Sequence, residues 1–220
     1  MPIKKGLFIT FEGGDGAGKS TQLKLLVNHI KNNNNFGYRG VVSGREPGGS
    51  NISENIRNIL LNPANEVAPL AELLLYEANR AQNVRDFVIP NLAKNYIVIC
   101  DRFIDSTLAY QGYARGLDLK MIKTLNSIAS YDITPDLTIY LDFPIRKALS
   151  KARGLKKDSY ANGDRIERED LCFHKKVRSG FLIMAKNEPG RIKVIKVAKK
   201  IEDTHRKIVS VVKNILPVKK

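Results

Sequence analysis

The sequence predicts an α/β fold, a doubly wound five-stranded parallel sheet flanked by helices. Two observations carry the prediction. Short apolar runs recur along the chain, as strands buried on both faces require. Between them lie longer segments with helical spacing, the alternation expected of strands joined by crossover helices.

Taken in order, Leu7–Phe11 reads as the first strand and Lys19–Asn32 as the helix after it. Val41–Ser43 is a short second strand, and Ile52–Leu61 has helical spacing. Pro69, a residue suited to a first helical turn, opens a long helix through about Leu92, with Leu70, Leu73, Leu74 and Ala78 on one side. Tyr96–Cys100 and Leu137–Leu141 are buried strands, and Arg191–Lys196 supplies the fifth. Ile145–Arg153 and Glu167–Asn187 read as helices flanking a polar, basic stretch, and a last helix lies near Ile201–Leu216. No repeat or linker divides the chain, so residues 1–220 are expected to form one domain with a short lid at about 153–165.

Composition narrows the class. Hydrophobic residues at 43% and charged residues at 27% describe a globular chain. The apolar run before Phe11 is too brief for a signal peptide, and no stretch approaches the roughly 18 residues of a membrane span. Cys100 and Cys172 stand far apart and read as small buried residues in a reducing cytoplasm. The net charge of +15 is uneven: up to Ile145 there are 15 Lys+Arg against 14 Asp+Glu, and from Arg146 onward 22 against 8. Scattered lysines with few aromatics between them fit a solvated face better than a nucleic-acid surface.

Gly13-Gly14-Asp15-Gly16-Ala17-Gly18-Lys19-Ser20 matches G-x-x-x-x-G-K-[ST], directly after a strand and directly before a helix. Glycines let backbone N–H groups turn inward around an anion, and the helix N-terminus adds partial positive charge. In such a P-loop, Lys19 reaches the β- and γ-phosphates of ATP and Ser20 holds Mg²⁺, with Thr21 next in the helix. This places the chain among P-loop NTPase folds.

Further clusters follow the strand ends. Arg45-Glu46-Pro47-Gly48-Gly49 follows the second strand, and Asp101-Arg102-Phe103 follows the third, with Asp105–Gly112 close behind. Arginine suits the forked recognition of phosphate oxygens, so Arg45, Arg57, Arg80 and Arg102 are candidates to hold an acceptor phosphate. Tyr76 and Arg80 share a helix face, and the Tyr76 ring offers a flat surface to a pyrimidine. Asp101 is a strand-end carboxylate suited to assist Mg²⁺ through water. No histidine constellation emerges from His29, His174 and His205.

On these motifs, with Asp101–Gly116, Pro135–Asp142 and Asp164-Arg165-Ile166-Glu167, the sequence resembles the thymidylate kinase family, bacterial type. The resemblance implies γ-phosphoryl transfer from ATP to dTMP with Mg²⁺, and a homodimer. It implies that Arg80 hydrogen-bonds the base, that Thr107 and Gln111 approach the base edge, and that Tyr110 crowds the sugar 2′ position. It also implies that Asp15 and Glu46 lie near the sugar and the acceptor phosphate or metal. One type of the family carries an arginine in the P-loop where this chain has Gly16, and the bacterial type uses lid arginines instead. Arg153 is then the first candidate for the cation at the migrating phosphoryl, with Lys156 or Lys157 in support and Arg165 also available. Rival readings are a kinase for dUMP, CMP or another nucleotide, and a P-loop ATPase that binds nucleic acid. Against the ATPase, Asp-Arg-Phe stands where a hydrolytic motor would carry paired carboxylates.

Overall fold

All six residues of β1 (Leu7–Glu12) are buried, as a strand covered on both faces requires. The computed structural model describes residues 5–33, 36–155 and 163–216, with only the backbone of 151–155. β2 (Val41–Arg45), β3 (Ile97–Asp101), β4 (Leu137–Asp142) and β5 (Ile192–Lys196) join β1 in one sheet, in the order β2-β3-β1-β4-β5. Every pairing is parallel. The chain leaves β1 to one side for β2 and β3, then crosses to the other side for β4 and β5. Open α/β sheets bind ligands at the carboxyl ends of the strands beside such a switch. The register levels those ends, with Arg45 opposite Asp101, Asp101 opposite Phe11, and Glu12 opposite Tyr140.

Helices cover both faces. α1 (Lys19–Asn32) and α9 (Ile201–Lys213) pack Leu26, Ile30, Ile208 and Val212 against Ile9, Ile99 and Ile139. On the other face Phe8, Val98, Cys100 and Phe103 meet Val84, Val88 and Leu92. Phe181 of α8 (Leu171–Asn187) stacks on Tyr140 at 4.7 Å. Each such side chain contributes roughly 1.5–3 kcal/mol when fully buried. The sheet is thereby fixed as a rigid base under the loops at its carboxyl edge.

Several expectations change in detail. The long helix is α3 (Pro69–Asn83), a π-helical turn (Val84–Val88) and α4 (Ile89–Ala93) in succession. Of its proposed apolar side only Leu73 is core: Leu70 and Leu74 are each 48% exposed, and Ala78 is exposed too. The buried face of α3 is polar instead, carrying Glu72, Glu77, Asn79, Arg80 and Asn83. The helix expected from Glu167 starts at Leu171, because the Asp170 side chain accepts from Phe173 N–H and caps it there. Residues before it turn tightly, with the Asp164 carboxylate accepting from Ile166 and Glu167 N–H. The sequence reading assigned no element between the third and fourth strands. That span holds α5 (Ile104–Thr107), a π-helical stretch (Leu108–Ala114) and α6 (Leu119–Ala129). α7 (Ile145–Leu155) follows β4, and α2 (Asn51–Leu61) packs beside α3. The last helix ends at Lys213, before Leu216. Cys100 is buried as expected, but Cys172 lies on the outer face of α8 and is exposed. His29 and His205 do meet, edge to face across α1 and α9 at 5.8 Å, which spacing in sequence does not reveal.

Candidate active site

The phosphate cradle begins where β1 ends. Gly13 has φ 143°, and a Cβ there would lie 2.8 Å from the Leu141 carbonyl oxygen, so no side chain fits. Gly18 takes the left-handed conformation at φ 93° and starts α1. Lys19 folds over the loop, donating from Nζ to the carbonyls of Gly13 at 3.0 Å and Gly14 at 3.3 Å. Its Nζ also lies 3.7 Å from Asp15. Ser20 Oγ donates to Asp101 Oδ2 at 3.1 Å. Ser20, Thr21, Gly16, Gly18 and Lys19 line one cleft with Arg45, Glu46, Arg57, Asp101 and Arg102.

Beside that cleft is a second, partly open cavity between α2, α3 and the segment after β3. Asp15, Tyr76, Arg80, Arg102, Thr107 and Gln111 line it, with Tyr110, Arg57, Glu46, Ser106 and Asp164. Thr107 is 2% exposed, and its hydroxyl has no partner among the described residues. Gln111 is 1% exposed and donates from Nε2 to Glu72 Oε1 at 2.7 Å.

Arg80 is 2% exposed and held on every side. Its Nε donates to Glu46 at 3.0 Å, and its Nη1 to Glu77 and to Asn126 at 2.6 Å. Its Nη2 donates to the Phe103 carbonyl at 3.1 Å, and its second Nη2 proton has no acceptor among the described residues. Burial pushes the Glu46 carboxyl up from its ordinary value, against the pull of Arg80 and a hydrogen bond from Asn83. A buried charge of this kind persists only when paired and bonded.

Arg102 connects the cradle to the cavity. It has φ 73°, a left-handed backbone that costs a non-glycine residue of order 1–3 kcal/mol. Contacts on both sides hold it there: Arg102 N–H donates to Phe11 O, and Phe103 N–H donates to Glu12 Oε1 at 2.8 Å. The guanidinium donates to Asp15 at 2.8 Å and to Ser106 at 3.2 Å, and lies 5.1 Å over the Tyr110 ring. Ser106 in turn donates to Glu12 Oε2 at 2.6 Å. Burial pushes the Glu12 carboxyl up to about 7, with Arg102 opposing and Asp105 adding to the shift.

Arg45 is 54% exposed, and its Nη2 donates to both Glu54 carboxylate oxygens at 2.9 and 3.1 Å. Arg57 donates to the Pro47 carbonyl at 2.7 Å and lines both cavities. Arg153 falls on α7, but its side chain lies outside the described residues, as do Lys156 and Lys157 altogether. Arg165 is turned away from the cradle, donating to the Leu60 carbonyl at 2.8 Å and pairing with Glu72 at 2.6 Å. Sequence reasoning gave no role to Glu12, Ser106 or Asp164, although they lie in or beside its motifs, and did not notice Glu72. The available signal for Glu72 was its position four residues before Tyr76 and eight before Arg80, on their helix face.

Ser20 and Asp101 offer Mg²⁺ the hard oxygen donors it favours. Among the described residues no group of three or more His, Cys, Asp or Glu side chains could hold a metal. An ion here would therefore share its shell with phosphates and water, as Mg²⁺ commonly does.

Comparison with known proteins agrees with this geometry. A family profile described as thymidylate kinase matches residues 11–208. The chain is 44% identical to the thymidylate kinase of Caldanaerobacter subterraneus subsp. tengcongensis over 212 residues, 96% of this chain and 97% of the relative. It is 47% identical to that of Geotalea daltonii over 204 residues, 90% and 92% of the two chains. The crystal structure of thymidylate kinase from Ehrlichia chaffeensis superposes with a TM-score of 0.75 at 36% identity, covering 94% of this chain and 98% of that one. With the cradle, the paired cavity and a matching fold in hand, the chain belongs to the thymidylate kinase family.

Proposed function

We propose that this protein transfers the γ-phosphoryl group of ATP to dTMP, giving dTDP and ADP, with Mg²⁺ in the donor cleft. The observation that carries the reading is the cavity beside the P-loop, which Tyr76, Thr107 and Gln111 line together with Arg57 and Arg102, arginines that also line the cleft holding Lys19. The backbone amides of Gly13–Gly18 cradle the donor phosphates, and Lys19 swings from its carbonyl contacts to the β- and γ-oxygens. Ser20 and Asp101 would hold Mg²⁺, which would supply positive charge against the phosphates. Arg45, Arg57 and Arg102 grip the acceptor phosphate, and Asp15 and Glu46 order the sugar side and these cations. Tyr76 stacks on the base, Arg80 donates to it, and Tyr110 closes the floor under the sugar. The acceptor is already an anionic phosphate, so positioning and charge stabilisation carry the rate, and no general base is needed.

The same reading takes residues 1–220 as a single domain whose lid, near 153–165, brings Arg153 to the transferring group. It also takes the protein as cytoplasmic and as a homodimer. The exposed apolar face of Leu70, Leu74 and Ala78 on α3, with Ile128 of the neighbouring α6 at 69% exposure, supports burial against a second copy. Among the described residues no helix is long and apolar enough to cross a membrane.

The test is turnover with Mg²⁺ATP and each of dTMP, dUMP, CMP, UMP, AMP and GMP, following ADP release. Strong turnover with dTMP alone is expected. Equal turnover with several acceptors would remove the base-reading roles, and acceptor-independent hydrolysis stimulated by DNA would remove the kinase.

A further inference from the structure

Gln111 is held by a group that dictates which end of its amide faces the ligand. Glu72, on α3, has no exposed surface, yet its carboxylate sits among donors. Gln111 Nε2 lies 2.7 Å from Oε1, Arg115 reaches both oxygens at 3.2 and 3.1 Å, and Arg165 lies 2.6 Å from Oε2. Burial alone would raise the Glu72 carboxyl, but the hydrogen bonds from Arg115 and Gln111 and the two arginine charges outweigh it and hold it below its ordinary value. Arg115 is itself fixed, paired with Glu169 at 2.6 Å and lying 4.7 Å over the Phe173 ring.

An ionised carboxylate accepts and never donates. The carboxamide of Gln111 must therefore turn its NH₂ to Glu72. Reversing it would set the amide oxygen against a charged oxygen and forfeit a hydrogen bond to an ion, a preference of about tenfold or more. Among the described residues the Gln111 side-chain oxygen has no hydrogen-bond donor, and the residue lines the cavity beside the P-loop. Thr107 adds no such polarity, because a hydroxyl both donates and accepts.

We propose that Glu72 is a specificity-determining positioning residue, orienting Gln111 as an acceptor so that the pocket selects pyrimidines bearing an N3–H over cytosine. The proposal rests on the acceptor reading above and assigns a cause to part of its selectivity. Thymine and uracil donate from N3, whereas cytosine presents a lone pair there and would face the Gln111 oxygen acceptor to acceptor. Sites built around a specific hydrogen bond can reject the ligand lacking it by factors of about 10⁴.

The experiment measures kcat/KM for dTMP, dUMP and dCMP in the full-length protein and in Glu72→Gln. The substituted amide can offer either an oxygen or an NH₂, so Gln111 is free to reverse. The dTMP-to-dCMP ratio should fall about tenfold or more, while the dTMP-to-dUMP ratio and KM for ATP stay within about twofold. A uniform loss on all three acceptors, with ratios unchanged, overturns the proposal and leaves Glu72 a structural ion-pair centre. If the unaltered protein itself fails to distinguish dTMP from dCMP, the acceptor reading falls first and the inference with it. Should Glu72→Gln not fold, NMR of the unaltered protein decides. The Gln111 side-chain NH₂ should be exchange-protected and unmoved by dTMP, and a large shift on dTMP addition would overturn the assignment.

Discussion

The donor cradle and the acceptor cavity adjoin, but they are built differently. The cradle is a contiguous run of eight residues, Gly13–Ser20, whose binding groups are backbone amides and one lysine. The cavity draws on α2, α3, the loop after β3 and the turn before α8, and Arg80 with Glu46 and Arg102 with Asp15 and Ser106 are tied to one another there. A backbone site tolerates loss of a side chain structurally. A desolvated network does not, so function and stability should separate in the first region and fall together in the second.

Arg80→Met tests the second half of that contrast and carries the largest expected effect. It strands Glu46 and Glu77, 6% and 5% exposed, without their cation. Breaking a buried pair from one side costs about 3–5 kcal/mol, which at roughly 2–4 °C per kcal/mol for a domain of this size lowers Tm by about 10 °C. Binding of dTMP should be lost as well. Lys19→Ala is the counterpart. It should lower kcat by about 10²–10³-fold, as loss of one transition-state donor does, and move Tm by no more than about 2 °C. If the lysine variant melts as early as the arginine variant, the distinction fails.

The same contrast explains what could be read in the sequence. The cradle was legible because its chemistry depends on spacing within one segment, and the three central strands were legible because burial on both faces leaves an apolar run. α3 was misread because apolar periodicity normally marks the core. Here the buried face is the polar one, Glu72, Glu77, Asn79, Arg80 and Asn83, while Leu70 and Leu74 face outward. Glu72 and Glu12 act through partners 39 and 91 residues away, and no local pattern announces such pairs. α5 and the π-helical stretch after it escaped because the motif between Asp101 and Gly116 reads as a ligand loop, although that loop is wound into helical turns.

Glu12 lies at the boundary between the two regions, and its titration can show whether they are coupled. Its carboxyl titrates at about 7 in the folded protein, against 4.5 ordinarily. Between those values the folded state binds more protons than the unfolded chain, so stability from this group is full below pH 4.5 and is lost as pH rises through 7. The stability lost across that window is on the order of 3 kcal/mol by pH 8. Glu12→Gln keeps the volume and an acceptor for Phe103 N–H but cannot ionise. Urea unfolding should therefore show the variant gaining on the parent between pH 5 and pH 8. Parallel pH curves would mean that Glu12 ionises normally and that Arg102 is held without it.

Arg45→Ala should give the smallest effect on stability. Arg45 is half exposed and its partner Glu54 is 40% exposed, so losing the pair should cost about 0.2–1 kcal/mol, screened further by salt. If Arg45 grips the acceptor phosphate, KM for dTMP should nevertheless rise by about tenfold while KM for ATP is unchanged. Glu54→Gln separates the two roles, since it removes the same ion pair but leaves the guanidinium for the ligand. It should share the small loss of stability and keep KM for dTMP within about twofold. If the two variants raise KM alike, Arg45 acts by ordering the Gly48–Gly49 turn through Glu54, which accepts from Gly49 N–H at 2.9 Å. Arg57 and Arg102 would then be the cations that meet the acceptor, and the cavity would be the more buried of the two regions in function as well as in structure.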